Sequence, residues 1–256
     1  MTHRSTTPSP RNLEDDEMEG SNFPNVNWDE RADDYPLTMD RPSTLYAIDL
    51  IKREAEGYDT IVDVGCGPGN ESIPFSEFFG RVYSVDSSPR MLARLRRECA
   101  ERGIENIETI ESDCIGVQLP ETCQVAFSCL CPGMFSPEGM GTLERLSDDF
   151  CVFIGHLYEE DCIERRVFED AGLRFESKFD TLRVLDEFRG ERDIVQRRFA
   201  DFPQRRPEEL LRRCLRIAED ATDEERDRLE RCVSQVDLES LPDENNVIVL
   251  SWHKTA

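Results

Sequence analysis

Apolar and polar positions change period along this chain, and those changes mark out its elements. From residue 59 onward, short apolar runs alternate with stretches of helical period. Residues 60–64, 81–86, 108–111, 125–130 and 150–155 read as five strands. Residues 71–79 read as a helix closed by Gly80. A second helix opens at Ser88 with Pro89 at its first position, turns Leu92, Leu95 and Cys99 inward, and stops at Gly103. Ahead of the first strand, residues 40–56 predict a helix with Asp40 as N-cap and Pro42 in its first turn. Its apolar stripe is read as Leu45, Ile48 and Ile51, and Gly57 ends it. Strands that alternate with helices of this length make a parallel sheet covered on both faces. Beyond Tyr158 the pattern predicts a helix over 159–171 and a strand over 174–185. An amphipathic helix follows over 207–236, broken near Thr222, with Leu210, Leu211, Cys214, Leu215 and Ala218 on one stripe. A final strand covers 246–252. The organisation expected is an acidic, disordered tail over 1–22 and one domain over 23–256, with 207–236 inserted before the last strand. No internal repeat and no second unit with a core of its own is read.

The chemistry gathers at the end of the first strand, in Asp63-Val-Gly65-Cys-Gly67-Pro-Gly69. Between a strand and a helix the chain must turn sharply. Glycines permit the turn and let a ligand approach the backbone. The amides of the helix that follows would face that ligand. Asp86 ends the next strand, 21 residues after Gly65, where a carboxylate can accept both hydroxyls of a ribose. A dinucleotide fingerprint requires Gly-x-Gly-x-x-Gly, whereas this loop is Gly-x-Gly-x-Gly followed by Asn70. The third strand ends in Glu111-Ser-Asp113-Cys114, which puts a carboxylate within reach of an adenine amino group.

Residues 63–70 with Asp86 and Asp113 resemble the class I S-adenosylmethionine-dependent methyltransferases, and the resemblance extends over roughly residues 28–155. It implies a Rossmann-like α/β fold: a seven-stranded, mostly parallel sheet with helices on both faces and the final strand antiparallel. It also implies S-adenosylmethionine as cofactor. By similarity, Gly65, Gly67 and Gly69 shape the pocket for the methionine part and Asp63 lies near its amino group. Asp86 with Ser87 holds the ribose, Asp113 with Cys114 meets the adenine, and Ser128 lines the site from the fourth strand. That strand ends in Ser128-Cys-Leu-Cys131-Pro-Gly-Met134, which is not the Asn/Asp-Pro-Pro-aromatic run of enzymes that methylate amino groups of bases or glutamine. The acceptor is therefore expected to be a small molecule, not nucleic acid. Two alternatives stay open: a related transfer such as aminopropyl transfer, and a non-catalytic cofactor-binding subunit. No catalytic residue is identified. His156, after the fifth strand, is a candidate general base and Cys131 a candidate thiol; Tyr35 is a candidate cover for the cofactor.

Charge and cysteine content modify this reading only at its edges. The net charge is -24, and Lys52, Lys178 and Lys254 are the only lysines. The acids are spread along the chain, which favours adaptation to high salt over a surface for one cationic partner. Ten cysteines occur with no Cys-x-x-Cys pair. With no apolar leader segment they are read as reduced thiols in a cytoplasmic protein, and no metal site is expected.

Overall fold

The computed structural model describes residues 27–201, 206–238 and 245–254. The expected disordered tail over 1–22 lies outside these residues. Among them the elements run α1 (Trp28–Arg31), α2 (Pro42–Glu54), β1 (Thr60–Val64), α3 (Ser72–Phe75), β2 (Arg81–Asp86), α4 (Pro89–Arg102), β3 (Ile107–Glu111) and β4 (Cys123–Cys129). A 3-10 turn (Pro132–Met134) leads to α5 (Pro137–Leu146), β5 (Ser147–His156), α6 (Ile163–Asp170) and α7 (Thr181–Phe188). Then come β6 (Val195–Phe199), α8 (Pro207–Ile217), α9 (Asp223–Ser234) and β7 (Val247–His253).

The seven strands form one sheet in the order β3-β2-β1-β4-β5-β7-β6. The first five are parallel, and β7 runs antiparallel to both β5 and β6. Adjacent residues of a strand point to opposite faces, and both faces are apolar. Val62, Val85, Ala126 and Phe153 pack with Met140 and Leu143 of α5 and Val184 and Leu185 of α7. Ile61, Val82, Phe127 and Val152 pack with Ala47, Ile48 and Ile51 of α2. The order reverses direction between β1 and β4, the position at whose carboxyl edge ligands lie in open α/β sheets. No helix among the described residues is long and apolar enough to cross a membrane.

Several local expectations are corrected. Arg41, not Asp40, occupies the N-cap of α2, and it makes no side-chain cap. The cap comes from far along the chain: Asp201 accepts the Ser43 amide at 2.9 Å and also the Ser43 hydroxyl. Leu45 is 49% exposed, and the buried stripe is Thr44, Ala47, Ile48 and Ile51. The helix over 71–79 shrinks to the single turn of α3, where Pro74 supplies no amide; turns complete the path to Phe79. Residues 174–185 contain no strand. Asp180 accepts the Leu182 amide at 3.2 Å and starts α7, whose Thr181, Val184, Leu185 and Phe188 are buried at helical spacing. The sixth strand is instead Val195–Phe199, largely exposed, with the polar composition of a sheet edge.

The insertion between β6 and β7 folds as α8 and α9. Thr222 forms a capping box with Glu225 at the start of α9. The stripe of α8 is not spread over the sheet. Leu210 and Cys214 join Leu229 and Val233 of α9 and Ile163, Val167 and Phe168 of α6. This helical cap therefore has an apolar cluster of its own, where a single core was expected.

Candidate cofactor and acceptor site

The glycine loop leaves β1 with backbone support from β2: the amides of Gly65 and Cys66 both donate to the Val85 carbonyl, at 2.8 and 2.9 Å. Gly65, Gly67 and Gly69 have φ of 77°, 54° and 100°, a region L side chains avoid. Their surroundings differ. A Cβ on Gly65 would overlap Cys131 and one on Gly69 would overlap Leu95, so these two let the loop pack on the end of β4 and on α4. A Cβ on Gly67 would meet nothing within 4 Å. The open side of the loop is at Gly67.

Asp86 faces that opening. One oxygen accepts the Gly67 amide and the other the Ser88 amide, each at 2.8 Å. A carboxylate has about four acceptor positions, so two bonds leave capacity for a ligand's hydroxyls. Burial pushes Asp86 up, and the two amides oppose that shift. Asp63 is buried beneath the loop and accepts the Ser72 hydroxyl at 2.6 Å; Ser84 donates to Ser72 at 2.8 Å. Burial and then the neighbouring Glu71 raise Asp63 well above the usual carboxylate range.

Glu71 is the residue that the sequence pattern conceals. Read only as the first residue of a helix, it is buried, with 4% of its surface exposed. It accepts Arg41 at 2.8 Å and Thr44 at 3.1 Å. Its one visible signal is position, directly after the glycine loop. The N-terminal segment is a second surprise in extent. Asp29 accepts the Ser88 hydroxyl at 2.5 Å, Arg94 donates to the carbonyls of Ala32 and Tyr35, and Asn70 accepts the Thr38 amide at 3.1 Å. Residues 29–38 are thus tied to the loops after both β1 and β2.

The other sequence candidates divide. Ser87 and Asp113 are exposed, and Asp113 accepts the Ile115 amide at 2.9 Å, an ordinary loop-closing bond. Ser128 is buried, with its hydroxyl donated to the Val64 carbonyl at 2.8 Å; it joins β4 to β1 below the pocket. Cys114 and Cys131 are brought together. Their hydrogen bond, with burial, pushes the Cys131 thiol well up; the same bond pulls Cys114 down, against the effect of burial. A thiol held protonated is a poor nucleophile. Leu130, beside it, has φ 50°, and its amide donates to the Ile154 carbonyl at 2.8 Å. A non-glycine residue in this region is strained, and such strain gathers at ligand sites.

His156 ends β5. Its ring stacks on Phe135 at 5.8 Å and approaches Tyr158 at 6.2 Å. Burial, then Arg216, Arg213 and Arg41, lower its pKa to about 3, so the ring is neutral through the physiological range. A base that weak is far from the value that suits general-base catalysis at neutral pH. Tyr35 meets Trp28 edge-on at 6.2 Å, and burial raises its phenol. A separate crevice of ≈ 660 Å³ lies between Phe175, Lys178, Ile217 and Glu219; none of the loop residues or His156 lines it.

Residues 61–147 match the family described as methyltransferase domain. Over that stretch, about a third of the chain, it is similar to a methyltransferase domain. Among curated proteins, it is 33% identical over 82 residues to the probable ribosomal RNA small subunit methyltransferase A of Thermococcus onnurineus, covering 30% of this chain and 29% of that one. It is 29% identical over 93 residues to the aklanonic acid methyltransferase DauC of a Streptomyces species, covering 35% and 42%. The chain therefore matches less than half the length of either relative. The fold is similar to that of coclaurine N-methyltransferase bound to N-methylheliamine and SAH, with TM-score 0.51 and 16% identity over 82% of this chain and 72% of that one.

S-adenosylmethionine is the cofactor of this methyltransferase family, and the residues present fit it. The loop is open at Gly67, a carboxylate with spare acceptor capacity lies beside the opening, and buried Asp63 and Glu71 lie behind it. A ligand carrying a sulfonium and an ammonium suits such an acidic surround.

Proposed function

We propose that this chain transfers a methyl group from S-adenosylmethionine to a small-molecule acceptor. S-adenosylmethionine supplies an electrophilic methyl on its sulfonium sulfur, so the protein's task is mainly alignment and exclusion of water. Asp86, the loop amides around Gly67, and Asp63 behind them form the cofactor side, with Ser87, Asp113, Cys114 and Ser128 at its margins. The observation that carries the small-molecule reading is enclosure. Residues 29–38 are tied across the loops after β1 and β2, and Phe135 stacks on His156 at the end of β5. Helix α8 is seated on α6 through Leu210 and Cys214, and its Arg213 pairs with buried Glu164. Such a crevice suits a compact acceptor better than a duplex or a folded RNA, and a net charge of -24 works against phosphate backbones.

Relatives that include a probable ribosomal RNA methyltransferase keep an RNA acceptor as the rival. The test uses the purified chain with methyl-labelled S-adenosylmethionine, a small-metabolite extract in one arm and total RNA in the other. Label appearing in the low-mass fraction is expected. Label in RNA alone would overturn the acceptor class, and no label in either arm with tight cofactor binding would favour a non-catalytic subunit. We further propose that the dispersed acids are an adaptation to salt. The melting temperature is then expected to rise steadily from dilute buffer to molar potassium chloride, and a flat profile would overturn this.

A further inference from the structure

We propose that Cys114 and Cys131 form a site of oxidative modification: a peroxide converts the pair to a disulfide that fastens the loop after β3 to the turn after β4 and weakens cofactor binding. The effect on the cofactor rests on the methyltransferase reading above; the formation of the bond does not.

The pair stands apart from the other cysteines. Six of the ten are buried, and the remaining four are Cys114, Cys129, Cys131 and Cys232. Cys129 lies against Arg41, whose Nη2 donates to its sulfur at 3.6 Å, and Cys232 packs on the seam of the cap. Cys114 and Cys131 are partly exposed, and both pack on the α5 side of the sheet. They follow strands that are not neighbours. In the order β3-β2-β1-β4, the ends of β3 and β4 stand three strand spacings apart, about 14 Å. The connection after β3 closes that distance. Its Val117 is buried in the same core cluster, and Arg145 of α5 donates to the carbonyls of Ile115 at 2.6 Å and Val117 at 2.8 Å. Two glycines make room for the sulfurs. A Cβ on Gly133 would overlap the Cys114 sulfur, and one on Gly65 would overlap the Cys131 sulfur. The Cys114 sulfur therefore rests on backbone just past Cys131, and Cys131 rests on the loop after β1.

The two thiols suit different roles. The bond from Cys131 favours the thiolate at Cys114, while Cys131 is held protonated. A thiolate, not a thiol, attacks peroxide. The Cys114 sulfur bonds to one peroxide oxygen as the O–O bond breaks, which gives a sulfenic acid and hydroxide. The Cys131 sulfur then attacks the Cys114 sulfur; the S–O bond breaks, and the Cys131 proton leaves with the hydroxyl as water. The thiols lose two electrons and the peroxide gains them. The bond spans the ends of β2 and β1, which carry Asp86 and the glycine loop. Bonded sulfurs stand closer than hydrogen-bonded ones. Because both sulfurs rest on backbone, the pull falls on Gly65 and on residues 113–114, where the adenine is expected.

The experiment treats the reduced full chain with hydrogen peroxide, blocks free thiols by alkylation, and maps the peptides by mass spectrometry. A Cys114–Cys131 cross-link that dithiothreitol reverses is expected. S-adenosylhomocysteine affinity, by calorimetry, should fall about tenfold in the oxidised chain, within the usual range of coupling between two sites, and return on reduction. By the same linkage, saturating S-adenosylhomocysteine should slow cross-linking. Cys131→Ser should give no cross-link and a dimedone adduct on Cys114, and Cys232→Ser should cross-link like the parent. Peroxide that leaves Cys114 and Cys131 unlinked, or a cross-linked chain whose affinity stays within about twofold of the reduced one, would overturn the proposal. A reduced chain that fails to bind S-adenosylhomocysteine would instead overturn the methyltransferase reading, and the mapped cross-link would still decide whether the thiols pair.

Discussion

The sheet and the helical cap reach stability by different routes. In the sheet, β1, β4 and β5 are buried on both faces, and Ile61, Phe127 and Val152 have no exposed surface at all. In the cap, Leu210, Cys214 and Leu229 are equally buried, but they form one thin seam among α6, α8 and α9 whose outer faces are charged. The proposed cofactor site belongs to the first region and is built largely from backbone: three left-handed glycines, two amides on Asp86, and a strained Leu130. The proposed acceptor side lies where the two regions meet, and side chains distant in the chain pair there: Arg41 with Glu71 and Arg213 with Glu164. A rigid backbone site serves a ligand common to a whole family, and a side-chain crevice can vary with the acceptor.

The comparison is tested most severely by truncating one side chain in the sheet. Phe127 is fully buried with its ring 5.0 Å from that of Phe75. Phe127→Ala should cost about 3–5 kcal/mol in denaturant unfolding. It should lower cofactor binding only through the unfolded fraction. Leu210→Ala in the cap should lose acceptor turnover while S-adenosylhomocysteine affinity stays near the parent value. Equal loss of cofactor affinity in both would mean that the two regions fold as one.

Asp86→Ala comes next. It removes the acceptor of two backbone amides and of the expected ribose hydroxyls. S-adenosylmethionine affinity should fall by roughly 1.5–3 kcal/mol, about ten- to a hundredfold, by calorimetry. The cap should be untouched, so trypsin cleavage within residues 207–234 should not accelerate. Unchanged affinity, or preferential binding of NAD, would refute the assignment of this edge.

Legibility in the sequence follows the same division. The strands β1, β2 and β4, the loop and Asp86 were readable because backbone demands leave local marks: apolar runs, glycine at positive φ, an acid at a strand end. Helix α4 was readable from Ser88, Pro89 and Gly103, and all three take the expected cap positions. The failures have long-range causes. Asp201 caps α2 from 158 residues away, so no local pattern could show it. Val195–Phe199 was hidden because an edge strand needs no apolar face. Glu71 was read only as the start of a helix because its partners, Arg41 and Thr44, lie about 30 residues earlier.

His156 connects the two regions and sets a pH dependence. Its pKa is lowered from the model-peptide value of 6.5 to about 3 by burial and the three arginines. Between those values the unfolded chain binds the proton and the folded chain does not. Stability therefore rises with pH through that window, is fully present above pH 6.5, and is lost as pH falls, with a limiting slope of about 1.4 kcal/mol per unit. Carboxylates titrate in the same range, so the measurement is the difference between the parent and His156→Gln. A difference that does not change from pH 7 to pH 4 would show that the ring is solvated and that the crevice is open.

The smallest effect is the most local. Thr222 caps α9 through the Glu225 amide at 3.3 Å, while Glu225 returns a bond to the Thr222 amide at 2.8 Å. Thr222→Ala removes the first of these and should cost about 1 kcal/mol. That loss falls on α9 alone, which holds α8 against α6 through Leu229 and Val233. Opening of the cap would become about fivefold more frequent, since 1.4 kcal/mol corresponds to tenfold. If the cap is a separate unit, amide exchange should quicken in α8 and α9 and stay unchanged in β1, β4 and β5. The apparent KM for the acceptor should rise, with the affinity for S-adenosylhomocysteine constant. If exchange quickens throughout the sheet instead, the cap is part of the global folding unit. The contrast between a fixed cofactor edge and an independently mobile acceptor wall would then have to be abandoned.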